Sequence, residues 1–218
     1  MRAARVLIPV SNDTTNNTVQ LVPGRSCGEC SLCCKLLRID TFNKPVGIWC
    51  THCAPGRGGC TIYESRPTEC RDFYCGWLTW QTLGPEWRPN KCKMFLRMEG
   101  NLLAVHVDPS EPLAWRREPF FRQLKQFANK AVERKQQVVV YLEKRVFVIF
   151  PNKEVDLGTM NPGDELVVRD VSGPQGRDWM AFIERGPVGR NIAVERANMT
   201  EKSPFPSHHG AEGAGYQP

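Results

Sequence analysis

Val138-Val-Val-Tyr-Leu142 and Val146-Phe-Val-Ile-Phe150 are two five-residue runs of β-branched and aromatic residues, parted by Glu143-Lys-Arg145. Each run is strand-sized and rich in side chains that suit a pleated surface, and the polar residues between them predict a hairpin with a three-residue loop. Upstream, Phe120, Phe121, Leu124, Phe127, Ala128, Ala131 and Val132 recur at helical spacing, which predicts an amphipathic helix over about Pro119 to Lys135. Leu102-Leu-Ala-Val-His-Val107 predicts a strand, and Asp108-Pro-Ser-Glu-Pro112 the turn after it. Asn161-Pro-Gly-Asp164 predicts a turn into a strand at Leu166–Arg169, and Met180–Ile183 a last strand. Residues 100–186 therefore read as a small α+β module with a mostly antiparallel sheet and one amphipathic helix.

The first half has a different character. All ten cysteines lie between Cys27 and Cys92. Residues 27–99 are rich in Gly and Pro and poor in periodicity, so loops and short helices wrapped around ligands are expected there rather than around an apolar core. Trp49, Trp77, Trp80 and Trp87 are expected to form local core, with shielding of a centre as their alternative role. Residues 1–26 read as a short strand at Arg5–Ile8 followed by a polar linker, and residues 187–218 as a disordered tail carrying His208 and His209.

A chain of 218 residues can bury a core without help from metal or disulfides. At 41% hydrophobic and 24% charged its composition is that of an ordinary globular protein, and no apolar run approaches the roughly 20 residues that span a bilayer. The apolar stretch within Met1–Val10 is too short for a secretory signal. Arg2 and Arg5 precede any acid, but no sustained basic amphipathic pattern follows to mark a transit peptide. A reducing cytoplasm is the expected location, where a cysteine framework binds metal or does redox chemistry more often than it forms disulfides.

The densest cysteine stretch is Cys27-Gly-Glu-Cys30-Ser-Leu-Cys33-Cys34. Cys-x-x-Cys supplies two sulfurs from one tight turn, and Cys27, Cys30 and Cys33 make two overlapping copies of it. That rhythm matches the start of a bacterial ferredoxin run, and the match fails at its fourth member, since Cys34 follows at once. A redox disulfide between Cys33 and Cys34 would be strained. Further on stand Cys50-Thr-His-Cys53 and Cys60-Thr-Ile-Tyr63-Glu-Ser-Arg66-Pro67-Thr-Glu-Cys70-Arg71-Asp-Phe73-Tyr-Cys75, then Cys92.

Together these motifs resemble the YkgJ-type cysteine-cluster family, the CxxCxxCC zinc- or iron-chelating domain. The likeness runs through Cys27, Cys30, Cys33, Cys34, Cys60, Tyr63, Arg66, Pro67, Cys70, Arg71, Phe73 and Cys75, and covers roughly residues 27–78. It implies a metal-binding domain, with zinc or iron–sulfur as the usual proposals, and no settled activity. Cys50, Cys53 and Cys92 fall outside the pattern.

Seven motif cysteines exceed the four that one zinc or one four-iron cluster takes, and two centres would use eight. The candidate ligands are Cys27, Cys30, Cys33, Cys34, Cys60, Cys70, Cys75, Cys50 and Cys53, with His52 as one more donor. Iron–sulfur is the first choice over zinc, because a sulfur-only set suits both and the opening triplet has the ferredoxin rhythm. Tyr63 and Phe73 are expected to be packing residues.

Residues 1–100 hold 13 Lys+Arg against 8 Asp+Glu, so the cysteine half is the basic half. Compensation of thiolate charge by Arg57, Arg66, Arg71, Lys91 and Lys93 explains this better than a nucleic-acid surface, because no long basic run is present. No nucleotide loop, nucleophile elbow or His-Glu-x-x-His signature occurs, and His106, in a strand pattern, is expected to be structural. The expected function is a cysteine-ligated metalloprotein for electron transfer, metal handling or docking of a protein partner, more a binding protein than an enzyme. The alternatives are a cluster-centred redox or modifying enzyme, and a zinc module associated with nucleic acid or ribonucleoprotein.

Overall fold

The computed structural model describes residues 19–53, 58–171, 173, 174 and 176–186. The expected strand at Arg5–Ile8, Arg57, and the tail beyond 186 lie outside them. Four short helices come first: α1 (Leu32–Leu36), α2 (Thr68–Arg71), α3 (Gly76–Thr79) and α4 (Pro89–Cys92). Then follow β1 (Met94–Glu99), β2 (Leu102–Val107), α5 (Phe120–Glu133), β3 (Gln137–Leu142), β4 (Arg145–Ile149), β5 (Glu154–Thr159), β6 (Glu165–Asp170) and β7 (Trp179–Glu184).

The architecture is α+β. Strands β1 to β5 form one sheet in sequence order, and β6 and β7 form a second, two-stranded sheet. Neighbours in the large sheet are antiparallel except β2 and β3, which are parallel. The exception has a simple cause: parallel neighbours need a crossover, and α5 supplies it.

Val138, Val139, Val140, Val146, Val148 and Ile149 are essentially unexposed, because β3 and β4 are covered on both faces. Val138, Val140, Phe147 and Ile149 pack with Leu124, Phe127, Ala128 and Ala131 of α5. Val148 and Phe150 pack on the other side with Trp179 and Ala181. Burial on both faces is why these strands read as unbroken apolar runs rather than as alternating ones.

Helix α5 ends in a Schellman closure. Lys135 takes φ +56°, Gln136 N donates to Ala131 O at 2.8 Å and Lys135 N to Val132 O at 3.4 Å. No glycine marks this stop, so the sequence gives little sign of it.

Three differences from the sequence expectations stand out. The β3–β4 loop has two residues, Glu143 and Lys144, not three. Arg145 pairs with Leu142 and its Nη2 lies 2.5 Å from Asp156, so the strand gains a residue through a cross-strand ion pair. Met94–Glu99, placed with the cysteine loops, is the edge strand β1. Leu83, Trp87, Cys92, Met94 and Leu96 also belong to the main hydrophobic core, so that part of the cysteine region wraps an apolar centre after all. Finally, β5 is a strand despite Asp156 and Gly158, because pairing with β4 outweighs its polar composition.

Strand β1 joins the two halves. Met94 and Leu96 face the α5 core, whereas Phe95 points the other way, onto Leu32, Leu36, Cys75 and Leu78. The buried Asp108 adds a polar tie, since its Oδ1 accepts from Lys35 Nζ of α1 at 2.5 Å and from the backbone and hydroxyl of Ser110 at 2.9 and 2.8 Å. Burial alone would raise the Asp108 carboxyl, but the Lys35 and Ser110 bonds overcome it and hold the group below its ordinary range. A depressed carboxyl contributes stability above its unfolded pKa and loses it as pH falls through the folded value. Asp108→Asn is therefore expected to cost about 2–3 kcal/mol near pH 7 in urea unfolding, and less as the pH is lowered past 4. A cost that stays constant with pH would show that charge plays no part. No helix among the described residues is long and apolar enough to cross a membrane.

Candidate metal centre

Eight cysteines, from five separate segments, line one cavity of about 170 Å³: Cys27, Cys30, Cys33, Cys34, Cys50, Cys60, Cys70 and Cys75. His52, Tyr63, Arg66, Phe73 and Trp77 share its walls. The first segment turns tightly, with Cys30 N donating to Cys27 O at 2.8 Å and Gly28 at φ +48°. Against this turn lies Gly58, at φ +78°. A Cβ there would sit 2.7 Å from Glu29 Cβ and 2.9 Å from its backbone, so only glycine lets the two loops touch.

Cys33 and Cys34 sit on α1, anchored by the buried Leu32 and Leu36. Cys34 O accepts from Cys50 N at 3.0 Å, Cys50 O from Cys53 N at 3.0 Å, and Cys53 pairs with Cys60 in an isolated antiparallel bridge. Cys70 rides on α2, and Cys75 caps α3, where its carbonyl accepts from Leu78 N at 2.9 Å.

Two expected or doubtful donors stand apart. Cys53 is not on the cavity wall; it lies behind, bonded to Cys34 and to the Ser31 hydroxyl. Cys92 is in the main core, its thiol directed at Trp87 O (3.4 Å) and Met94 O (3.0 Å). All ten thiols are free of disulfides.

The electrostatics are those of crowded, buried sulfur. Burial raises Cys27, Cys30 and Cys53, and takes Cys70 and Cys75 to about 11. Cys33 donates to Cys34; this bond raises Cys33 and, with a second from Cys53, lowers Cys34 to about 7. Any metal bound here must displace protons from most of these thiols.

The compensating cations differ from those expected. Arg71 and Lys91 are exposed, and Arg71 bonds the Thr68 hydroxyl at 3.3 Å. Lys93 closes α4 in a left-handed turn. Lys44 does face the thiols. It is 6% exposed, donates to the carbonyls of Lys35, Leu37 and Pro45, and feels the charge of Cys50, Cys34, Cys33 and Cys70. Arg88 Nη2 donates to Cys27 O at 3.3 Å, and its guanidinium acts on Cys30. Arg66, as expected, acts on Cys27. It also stacks 3.8 Å over the Tyr63 ring, whose hydroxyl bonds the Cys27 sulfur, so Tyr63 is more than packing. Lys44 and Arg88 lie outside the cysteine motifs, and no local pattern could have singled them out.

The aromatic expectations fare unevenly. Trp77 is on the cavity wall, held between the guanidinium groups of Arg25 and Arg88 at 5.4 and 5.5 Å. Trp49 packs beside Cys50, while Trp87 belongs to the main core. Phe73 lines the cavity and packs edge-on against Phe95 at 5.2 Å. His106 is structural: it stacks between Phe95 and Tyr141, and its Nε2 lies 3.0 Å from Glu99.

The donor set fits a sulfur-ligated group. Two buried N–H donors beside Cys27 and Cys30, Trp77 Nε1 and Arg88 Nε, have no hydrogen-bond partner, which suits an anionic sulfur cluster. Among the described residues no three Cys, His, Asp or Glu side chains converge closely enough to hold one metal ion as they stand. Four thiolates on one zinc lie within about 4 Å of one another, given Zn–S bonds of about 2.3 Å. A cluster interposes irons and sulfides, and tolerates wider spacing. A groove of about 830 Å³ runs along the outside of the site and shares Leu37, Arg38, Phe73 and Tyr74 with the cavity wall.

Comparison with known proteins returned no matching family model, no matching curated protein and no matching solved structure.

Proposed function

We propose that this chain is a metalloprotein whose cavity cysteines hold an iron–sulfur centre, with zinc as the second choice, and that it serves electron transfer, metal handling or the docking of a protein partner. The observation that carries this reading is the convergence of eight thiols from five segments on one cavity. Thiols at such density repel one another as thiolates and gain nothing as packing that alanine or valine would not give more simply. A bound cluster would supply one-electron chemistry. The residues of the chain supply the ligands, the buried Lys44 and half-buried Arg66 and Arg88 that offset thiolate charge, and N–H donors toward sulfur. The resemblance to the CxxCxxCC chelating domain supports the same reading, as does the ferredoxin rhythm for iron over zinc. A partner seated in the groove would be separated from the cysteine cavity by shared wall residues such as Phe73.

The action of Arg66, Arg88 and Lys44 on the thiols favours charge compensation over a nucleic-acid surface as the cause of the basic first half. The proposed setting is a reducing compartment such as the cytoplasm, where these thiols stay available.

Anaerobic purification, with iron, sulfide and zinc quantified per chain, tests the proposal. Iron and acid-labile sulfide in comparable amounts, with broad visible thiolate-to-iron absorbance, are expected. A colourless anaerobic protein loaded with zinc would remove iron, and a chain without either metal would remove the function.

A further inference from the structure

We infer that the cavity serves two sulfur-ligated centres rather than one: Cys27, Cys30, Cys33 and Cys75 belong to the first, and Cys34, Cys50, Cys60 and Cys70 to the second. This rests on the metalloprotein reading above and goes beyond it by dividing the ligands.

The division begins on α1. Consecutive residues of a helix point about 100° apart, so Cys33 and Cys34, which touch through one hydrogen bond, diverge from the point where the two sets meet. The packing follows suit. Cys27, Cys33 and Cys75 pack with Leu32, Leu36, Leu78 and Phe95. Cys34, Cys50 and Cys70 pack with Ile39, Phe42, Trp49 and the buried Cys53. These are two separate apolar clusters with no cysteine in common. Backbone contacts complete each set. The Cys27–Cys30 turn adds Cys30 to the first. The chain of bonds from Cys34 to Cys50 to Cys53, and the Cys53–Cys60 bridge, bring Cys60 to the second.

Cations flank both sets, Arg66 and Arg88 the first and Lys44 the second together with Cys33. Arg88 stands over the first turn, bonded to Cys27 O, and carries one of the two unpartnered N–H groups. Lys44 is pinned by three carbonyls between α1 and the Pro45 loop, beside the second set. Four plus four also uses the eight cavity cysteines completely and leaves Cys53 and Cys92, which do not reach the cavity, without a metal role.

The test reconstitutes the full chain anaerobically with ferrous iron and sulfide and reads bound mass by native mass spectrometry, with iron per chain as a second count. Wild type is expected to gain two equal mass increments. Cys75→Ser and Cys70→Ser should each keep one, at half the wild-type iron, and the double variant none. Cys53→Ser and Cys92→Ser should keep both. Arg88→Met and Lys44→Met should each weaken one increment and spare the other. A single increment in wild type overturns the division while leaving the metalloprotein reading intact. So does loss of all iron from both single ligand variants whose far-UV circular dichroism matches wild type. If those variants fail to fold, the number of increments in wild type still decides. A wild-type chain that takes up neither iron nor, in a parallel arm, zinc overturns the underlying reading and the division with it.

Discussion

Phe127→Ala lowers the unfolding free energy by about 3–5 kcal/mol. Phe127 is 1% exposed and stands midway along α5, in the cluster that joins this helix to β1, β2, β3 and β4. The cost has two parts: the transfer of the ring's apolar surface, and the cavity left where neighbours cannot close in. Closing in is hindered because α5 is held along its length. Lys125 Nζ donates to Phe150 O and Lys153 O at 2.8 Å each, and the closure at Lys135 fixes the end. Urea unfolding with an unchanged slope is the measurement. A loss below about 1 kcal/mol would mean that α5 is not seated on the sheet in this way.

Raising the pH above roughly 8.5 is expected to erode stability by about 1.4 kcal/mol per pH unit through Cys92 alone. Burial pushes this thiol up to about 12. Its folded pKa therefore lies above its unfolded one. The stability it contributes is complete below the unfolded pKa and is lost as pH rises through that value toward the folded one, because the unfolded chain sheds the proton first. Serine keeps a hydrogen-bond donor toward Trp87 O and Met94 O but does not titrate in this range. The stability difference between wild type and Cys92→Ser should thus shrink steadily from pH 8.5 to 11. A difference that does not vary with pH would show that Cys92 is not buried as a neutral thiol. The same comparison separates Cys92 from the cavity cysteines, which both proteins share.

Much of the fold could be read along the chain. The helical spacing of Phe120 to Ala131 and the runs at Val138 and Val146 are dense local signals, since each residue's partners recur at a fixed interval. What escaped had non-local causes. The β5 strand carries Asp156 and Gly158, and exists because β4 offers an edge to pair with. β1 was hidden among cysteines, because Met94, Phe95 and Leu96 alternate between two cores that only the folded chain defines. Arg145 joined β4 through Asp156, eleven residues away.

The candidate site was legible to a similar depth. The cysteines name their chemistry by residue type and spacing, since thiolates at Cys-x-x-Cys intervals are what a metal requires. Their cations were not legible. Lys44 and Arg88 look like surface residues in the sequence, and become counter-charges only because the Pro45 loop and the turn before α4 fold back over the thiols. Tyr63, in the same way, is an aromatic by type and a hydrogen-bond donor to Cys27 by position.

The sequence by itself determined an α+β chain with one amphipathic helix, two β-rich runs and a cluster of thiols in its first half, because periodicity and residue chemistry are properties of neighbours along the chain. The tertiary structure alone decided which thiols meet, which stand aside and which cations serve them. Those depend on contacts between residues tens of positions apart, and burial and charge act through distance in space rather than along the backbone.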